Sequence, residues 1–133
     1  MSKKQAKTTP QERPLSPHLQ VYKPQMTSML SILHRMTGML LVLGLVIYTA
    51  WLACAALGLY VYMDFLGLLE TKLGMIAMVG ISFAGFYHFF NGCRHLVWDT
   101  GKLFEIGCAT KAGYMVLVLA IITTGGFWYL LLN

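Results

Sequence analysis

The chain has 133 residues, of which 57% are hydrophobic and 11% are charged, and its formal net charge is +5. The length suits one domain, and so few charges exclude an ordinary soluble domain and favour a membrane protein. The basic residues lie in the termini and in short loops beside apolar runs, so nucleic acid is not an expected partner.

Residues 1–30 form a polar N-terminal segment that begins MSKKQAKTTPQERPLSP. This segment has too little apolar surface to order itself, so another protein or the membrane surface is expected to organise it. A secretory signal peptide is the competing interpretation of the apolar run that follows. The polar segment precedes that run, however, and the run is too long for a signal peptide. A mitochondrial transit peptide would be richer in Arg and Ser.

Three apolar runs follow within residues 31–133, and none contains Asp, Glu, Lys or Arg. They lie between Arg35 and Asp64, between Lys72 and Arg94, and after Lys111. Each exceeds the roughly 20 residues that a helix needs to cross about 30 Å of hydrocarbon. Their continuous apolarity is unlike the alternation of a β-barrel. We therefore predict an all-α membrane protein with spanning helices near 32–60, 73–97 and 112–132.

The distribution of Lys and Arg predicts the orientation, because these residues concentrate on the cytoplasmic side. Those before the first run are Lys3, Lys4, Lys7, Arg13, Lys23 and Arg35. Only Lys72 lies in the first loop, whereas Arg94, Lys102 and Lys111 cluster around the second. The pattern predicts a cytoplasmic N-terminus and a C-terminus on the opposite side.

The first predicted helix begins with Ser31, His34 and Arg35, whose spacing places them on one face. One interpretation is local: the serine caps the helix while the other two side chains reach the lipid headgroups. The other is a quinone site, because quinone carbonyls need hydrogen-bond donors and a nearby arginine stabilises the negative charge of reduced forms. Both interpretations fit the sequence.

The second predicted helix contains GFYHFFNGCRHLVWD, in which His88 and His95 share a stripe with Gly92. The two histidines are about 10 Å apart along the axis. They therefore cannot bind one small ion together, nor supply both axial ligands of one haem. His18 and His34 are poor candidates for an opposite ligand, so we expect such a ligand to belong to another chain.

The surroundings of the two histidines leave two interpretations open. Aromatic residues flank His88, and the glycines of this helix are Gly74, Gly80, Gly85 and Gly92. This setting suits a flat apolar macrocycle, but an imidazole that bonds a neighbouring helix fits it equally. Arg94 is expected to snorkel to the interface, and His95 to contact a polar edge, such as a propionate, or to cap the helix end.

The three cysteines, Cys54, Cys93 and Cys108, show no CxxC or other metal-binding spacing and lie in different segments. We assign them to packing.

Three motifs, in this order, carry a family resemblance: RPLSPHLQVY at Arg13 to Tyr22, SILHRMTG at Ser31 to Gly38, and HxxxGxRHLxWD at His88 to Asp99. Together they resemble the cytochrome b membrane-anchor subunit of succinate dehydrogenase, respiratory complex II. The resemblance covers most of the chain and implies half of a heterodimeric membrane-anchor bundle. A second small membrane subunit would complete that bundle, and the two chains would share a haem b.

The resemblance also implies roles for particular residues. His88 matches the haem iron ligand of this subunit, and His34, Arg35 and His95 match positions near the haem propionates. Ser31 and Arg35 match residues that line the ubiquinone site beside the iron-sulfur subunit. Succinate oxidation itself belongs to the flavoprotein and iron-sulfur subunits, which carry FAD and iron-sulfur clusters.

The implied function is that of a haem-binding anchor of succinate:ubiquinone oxidoreductase, in the tricarboxylic acid cycle and aerobic electron transport. The implied location is a bacterial inner membrane, with the mitochondrial inner membrane as the alternative. Two other functions remain open. One is the anchor of a fumarate reductase that uses menaquinone, and the other is a structural anchor without haem.

Overall fold

The structure, a computed structural model, describes residues 25–133. Four α-helices make up this part of the chain: α1 (Met26–Leu57), α2 (Leu59–Glu70), α3 (Lys72–Asp99) and α4 (Ile106–Leu132). By length and composition, α1, α3 and α4 are each able to cross a membrane. The prediction of an all-α membrane protein is thus confirmed. The motif at Arg13 to Tyr22, the first five basic residues and His18 lie outside the described residues.

The first helix is longer than one bilayer crossing requires, because its 32 residues extend about 48 Å. It begins at Met26, six residues before the predicted start, and ends at Leu57, directly before Gly58. This glycine has φ 124°, a conformation that residues with a Cβ rarely adopt, so the helix cannot continue through it. The predicted helix over 32–60 ran past this break.

Helix α2 was not predicted. It folds back against α1, as the ring contact between Trp51 and Tyr62 at 6.3 Å shows. Its half-buried apolar residues recur at the spacing of one helix face: Tyr62, Phe65, Leu66 and Leu69. Asp64 and Glu70 are exposed.

The bounds of α3 lie within two residues of the predicted 73–97, whereas α4 begins six residues before the predicted 112. Thr71 caps α3, because its hydroxyl oxygen accepts a hydrogen bond from the Gly74 N–H at 3.1 Å. Lys111 is exposed within α4. A lysine is a good helix former, so it marks the limit of the apolar run but does not end the helix.

Helices α1, α3 and α4 pack around a small core of Leu30, Tyr87, Val116 and Ala120. The face of α4 that packs inward is composed mainly of small residues: Ala109, Ala112, Gly113, Ala120 and Thr124. Small residues allow helices in membranes to approach closely. The core therefore depends on short side chains along α4 and on one large side chain from α3.

We expect Gly113→Ala to destabilise this core by about 1–3 kcal/mol. A Cβ at this position would clash with Leu30 Cδ1, and Leu30 is 2% exposed and belongs to the buried core, so its side chain must shift against its neighbours. Gly125→Ala on the same helix is the matched control, because its Cβ would meet no described residue within 4 Å. Thermal unfolding of the detergent-solubilised protein measures both. A melting temperature that falls equally in the two variants would contradict the argument.

The outer surfaces of the three long helices are apolar. Exposed large hydrophobic side chains recur along their whole length, among them Met39, Leu45, Ile76, Leu96, Ile122 and Leu130. Water would not tolerate so much contiguous apolar surface, so lipid or other membrane chains must cover it.

Candidate functional site

Three histidines from two helices converge between α1 and α3. The rings of His34 and His88 are stacked, with centroids 3.9 Å apart and planes 13° apart. The ring of His95 lies 5.3 Å from that of His34. Because α1 and α3 run antiparallel, the N-terminal part of α1 meets the C-terminal part of α3. The structure thus brings together three of the residues singled out from the sequence.

Gly38 permits this close approach of α1 and α3. A Cβ at Gly38 would lie 3.2 Å from His88 Cε1, closer than ordinary van der Waals contact. Farther along the same interface, a Cβ at Gly44 would lie 2.8 Å from Ile81 Cγ2. Two glycines of α1 therefore set the distance between the helices, Gly38 at the level of His88 and Gly44 at that of Ile81.

The hydrogen bonds of His88 define which of its nitrogens carries the proton. Its Nδ1 lies 3.2 Å from the backbone oxygen of His34 and 3.3 Å from Thr37 Oγ1. The Thr37 hydroxyl donates to the same backbone oxygen at 2.8 Å, so its oxygen is available only as an acceptor for His88. Both neighbours are acceptors, so Nδ1 bears the hydrogen and donates. The unprotonated Nε2 has no hydrogen-bond partner among residues 25–133.

This arrangement is compatible with a metal-binding imidazole. A ligating histidine usually donates its other ring N–H to a backbone carbonyl or a carboxylate, which orients the ring and keeps the ligating nitrogen unprotonated. In this structure the backbone carbonyl of His34 in α1 accepts the Nδ1–H of His88 and orients its ring.

The rings of His34 and His88 lie face to face, so these two histidines could not bind one metal ion from opposite sides. His34 Nδ1 is buried and has no hydrogen-bond partner within residues 25–133. The same residues contain no group of three or more His, Cys, Asp or Glu side chains that could hold a metal ion.

The prediction that Arg94 snorkels to the interface is wrong. Arg94 is 5% exposed, and its guanidinium lies between α3 and α4, where Nη2 donates to the Ala109 backbone oxygen at 3.2 Å. The guanidinium carbon also lies 4.1 Å above the ring of Trp98. The start of α4 offers this carbonyl at the depth of Arg94, so the side chain turns inward.

Tyr87 and Asn91 are both 0% exposed, and the sequence reasoning assigned neither a role. The Tyr87 hydroxyl donates to the Leu30 backbone oxygen at 2.9 Å and so joins α3 to the start of α1. With Arg94 and Trp98 these residues recur at intervals of three and four, which places them on one helix face. That spacing was the signal in the sequence that these four residues face the core.

Among the described residues, Gly74 is the only glycine of α3 that lies tightly against another helix, since a Cβ there would clash with the backbone oxygens of Leu68 and Leu69 in α2. A Cβ built at Gly80 or Gly92 would meet no described residue within 4 Å, and one at Gly85 would make only ordinary contact with Leu41. Gly92 lies on the stripe of His88 and His95. At Gly92, therefore, residues 25–133 leave this stripe uncovered.

Ser31 and Arg35 lie on α1 beside the histidine cluster but outside its contacts. Ser31 is half-buried and Arg35 is exposed. Neither makes a side-chain hydrogen bond or ion pair with any residue of the described part of the chain. Their polar groups are free for partners that this part of the chain does not supply.

Residues 9–127 match the model of the family described as succinate dehydrogenase/fumarate reductase transmembrane subunit. The chain belongs to this family. Its relatives in the family include the succinate dehydrogenase cytochrome b556 subunit of Rickettsia conorii, which is 41% identical over 117 residues, covering 88% of this chain and 91% of the relative.

Two further relatives show how widely the similarity extends. The succinate dehydrogenase cytochrome b556 subunit of Paracoccus denitrificans is 39% identical over 117 residues, covering 84% of this chain and 88% of the relative. The mitochondrial succinate dehydrogenase cytochrome B subunit of Schizosaccharomyces pombe is 38% identical over 120 residues, covering 86% of this chain and 67% of the relative. The resemblance inferred from the sequence motifs is confirmed.

Proposed function

We propose that the chain is the haem b-binding membrane-anchor subunit of a succinate:ubiquinone oxidoreductase, complex II. The observation that carries this proposal is the state of His88, whose Nδ1–H is bonded to the His34 carbonyl while Nε2 remains free. The names of the relatives, succinate dehydrogenase cytochrome b subunits, favour the succinate direction.

His88 would be one axial ligand of the haem, and a second small membrane subunit would supply the other. The stacking of His34 on His88 supports a ligand from a second chain, because His34 lies on the same side of the proposed haem as His88. His34, Arg35 and His95 would contact the propionates, and the bound group would lie beside Gly92, where a Cβ would meet no described residue within 4 Å. A haem held by His88 and a residue of the second subunit would supply a group that stores or relays an electron.

Ser31 and Arg35 would line the ubiquinone site. The Ser31 hydroxyl would donate a hydrogen bond to a quinone carbonyl, and the Arg35 cation would stabilise the negative charge that develops on reduction. Arg35 is exposed within α1 and has no partner among the described residues, which is costly in a spanning helix unless another chain or a substrate compensates the charge. This chain contributes binding and charge compensation, and its partners carry out succinate oxidation.

The partners follow from the apolar and polar surfaces. The second membrane subunit and lipid would cover the exposed apolar faces of the spanning helices. The flavoprotein, with FAD, and the iron-sulfur subunit would dock on the side that carries Arg35. The Rickettsia and Paracoccus relatives favour a bacterial inner membrane, and a cytoplasmic N-terminus remains a prediction from the basic residues.

A reduced-minus-oxidised absorbance spectrum of the purified multi-subunit complex tests this proposal. We expect the signal of one low-spin b-type haem per complex, together with succinate-dependent reduction of ubiquinone. A complex that transfers electrons to quinone without any b-type signal would contradict the haem assignment and leave a structural anchor. Activity only with menaquinol and fumarate would favour the fumarate reductase alternative.

We expect Gly38→Ala to perturb the haem without abolishing assembly. The added Cβ would lie 3.2 Å from His88 Cε1 and push the ring away from the His34 carbonyl. Weakening a bond that orients a ligating histidine lowers affinity for the bound group by about 10-fold or more. Haem content and the low-spin electron paramagnetic resonance signal measure the effect. Gly80→Ala, whose Cβ meets no described residue, is the control, and equal haem loss in both variants would contradict this prediction.

A further inference from the structure

Arg94 is a buried cation without a carboxylate partner in the described part of the chain. Neutral groups hold it from three directions: the Ala109 backbone oxygen, the ring of Trp98 and the side chain of Asn91. Nη1 donates to Asn91 Oδ1 at 3.2 Å. A position fixed by three contacts gives the guanidinium one orientation toward Asn91.

That orientation also determines which end of the Asn91 amide faces His95. A guanidinium has only donors, so the amide atom that faces Arg94 must be the oxygen. The amide nitrogen consequently faces His95, with Nδ2 3.4 Å from Nε2. Asn91 is 0% exposed, so no water is available to replace Arg94 as the partner of the amide oxygen.

The amide nitrogen in turn determines the tautomer of His95. An amide NH₂ can only donate, so His95 Nε2 is the acceptor, and the proton of the neutral ring resides on Nδ1. Trp98 supports the ring through an edge contact with centroids 5.0 Å apart. The indole of Trp98 is itself held in place, because its Nε1 donates to the Leu103 backbone oxygen at 3.2 Å.

We propose that Asn91 and Arg94 are positioning residues that fix the tautomer of His95, so that its Nδ1–H is the group presented to the haem-binding site. This inference rests on the proposed function, in which His95 contacts a haem propionate. A propionate carboxylate only accepts hydrogen bonds, so it requires a donor. The two hydrogen bonds from Arg94 to Asn91 and from Asn91 to His95 leave the Nδ1–H of His95 as that donor.

The proposal predicts a change in the haem midpoint potential rather than in assembly. In Asn91→Leu, the amide that bonds His95 is absent, and the neutral ring is free to place its proton on either nitrogen. The propionate charge is then less compensated, which favours ferric over ferrous haem and lowers the midpoint potential. We expect His95→Phe, which keeps a ring against Trp98, to lower it as well.

A double-mutant cycle in the whole purified complex tests whether Asn91 acts through His95. Redox titration followed by haem absorbance gives the midpoint potential of each variant. We expect Asn91→Leu to shift the potential in the wild-type background and to add no further shift in the His95→Phe background. Ser82→Ala is the matched control on α3, because its hydroxyl bonds only the Met78 carbonyl of its own helix. Its potential should equal that of the wild type.

An unchanged potential in Asn91→Leu, or a shift that persists undiminished beside His95→Phe, would overturn the proposal. Asn91→Ser provides a smaller, polar alternative and should give the same pattern. If both Asn91 variants lose the haem while His95→Phe retains it, Asn91 is a packing residue and the positioning role is wrong. Absence of haem from the wild-type complex would instead refute the proposed function.

Discussion

Replacing His88 with alanine is expected to remove the low-spin b-type signal from the purified complex. The His34 carbonyl and Thr37 hold the imidazole through Nδ1, which leaves its Nε2 at a defined position. Alanine has no ligating atom, and an iron that loses one axial ligand can no longer remain six-coordinate and low-spin. Absorbance and electron paramagnetic resonance spectra of the reduced and oxidised complex measure the loss.

Chemical rescue separates ligation from a folding defect. In His88→Gly, added imidazole can occupy the space of the missing ring, and we expect it to restore the low-spin signal. Glycine within a helix lowers its stability by only about 1 kcal/mol, so the complex should still assemble. Ser82→Ala serves as the control on the same helix. A spectrum that is unchanged in His88→Ala would show that another residue binds the iron.

The spanning helices could be predicted because crossing a membrane imposes a length and a composition on the sequence. Helix α2 could not, since its start depends on the positive φ of Gly58 and its burial on contacts with α1. A short apolar stretch that contains Asp64 is compatible with a loop or a helix. The predicted start of α4 lies six residues after the observed one, because a helix can extend beyond the apolar run that it contains.

Much of the candidate site could also be identified from the sequence, because ionisable residues are rare within apolar helices. The sequence does not show the stacking of His34 on His88, which depends on the register between α1 and α3 and on Gly38. Arg94 was misplaced for a related reason. Its depth suggested the interface, but its helix face is that of Tyr87 and Asn91, where α4 provides a carbonyl.

Arg35→Ala is expected to lower quinone reduction by about 10²-fold while leaving succinate oxidation by artificial dyes intact. The guanidinium is exposed and makes no side-chain bond or ion pair with the described residues, so its removal should not disturb the helix packing. A cation that stabilises charge on the reduced quinone acts on the transition state, so kcat/KM for ubiquinone should fall. The dye receives electrons from the partner subunits and bypasses this site.

Two variants separate a specific role of Arg35 from a general effect of charge. Arg35→Lys keeps the positive charge but loses the planar donor fork, and we expect partial activity. Lys111→Ala removes another exposed cation, from the part of α4 that lies near Arg94, and should leave quinone reduction unchanged. If Arg35→Ala and Lys111→Ala reduce activity equally, the basic surface acts through general electrostatics. If the ratio of quinone activity to dye activity is the same in Arg35→Ala as in the wild type, Arg35 has no part in quinone reduction.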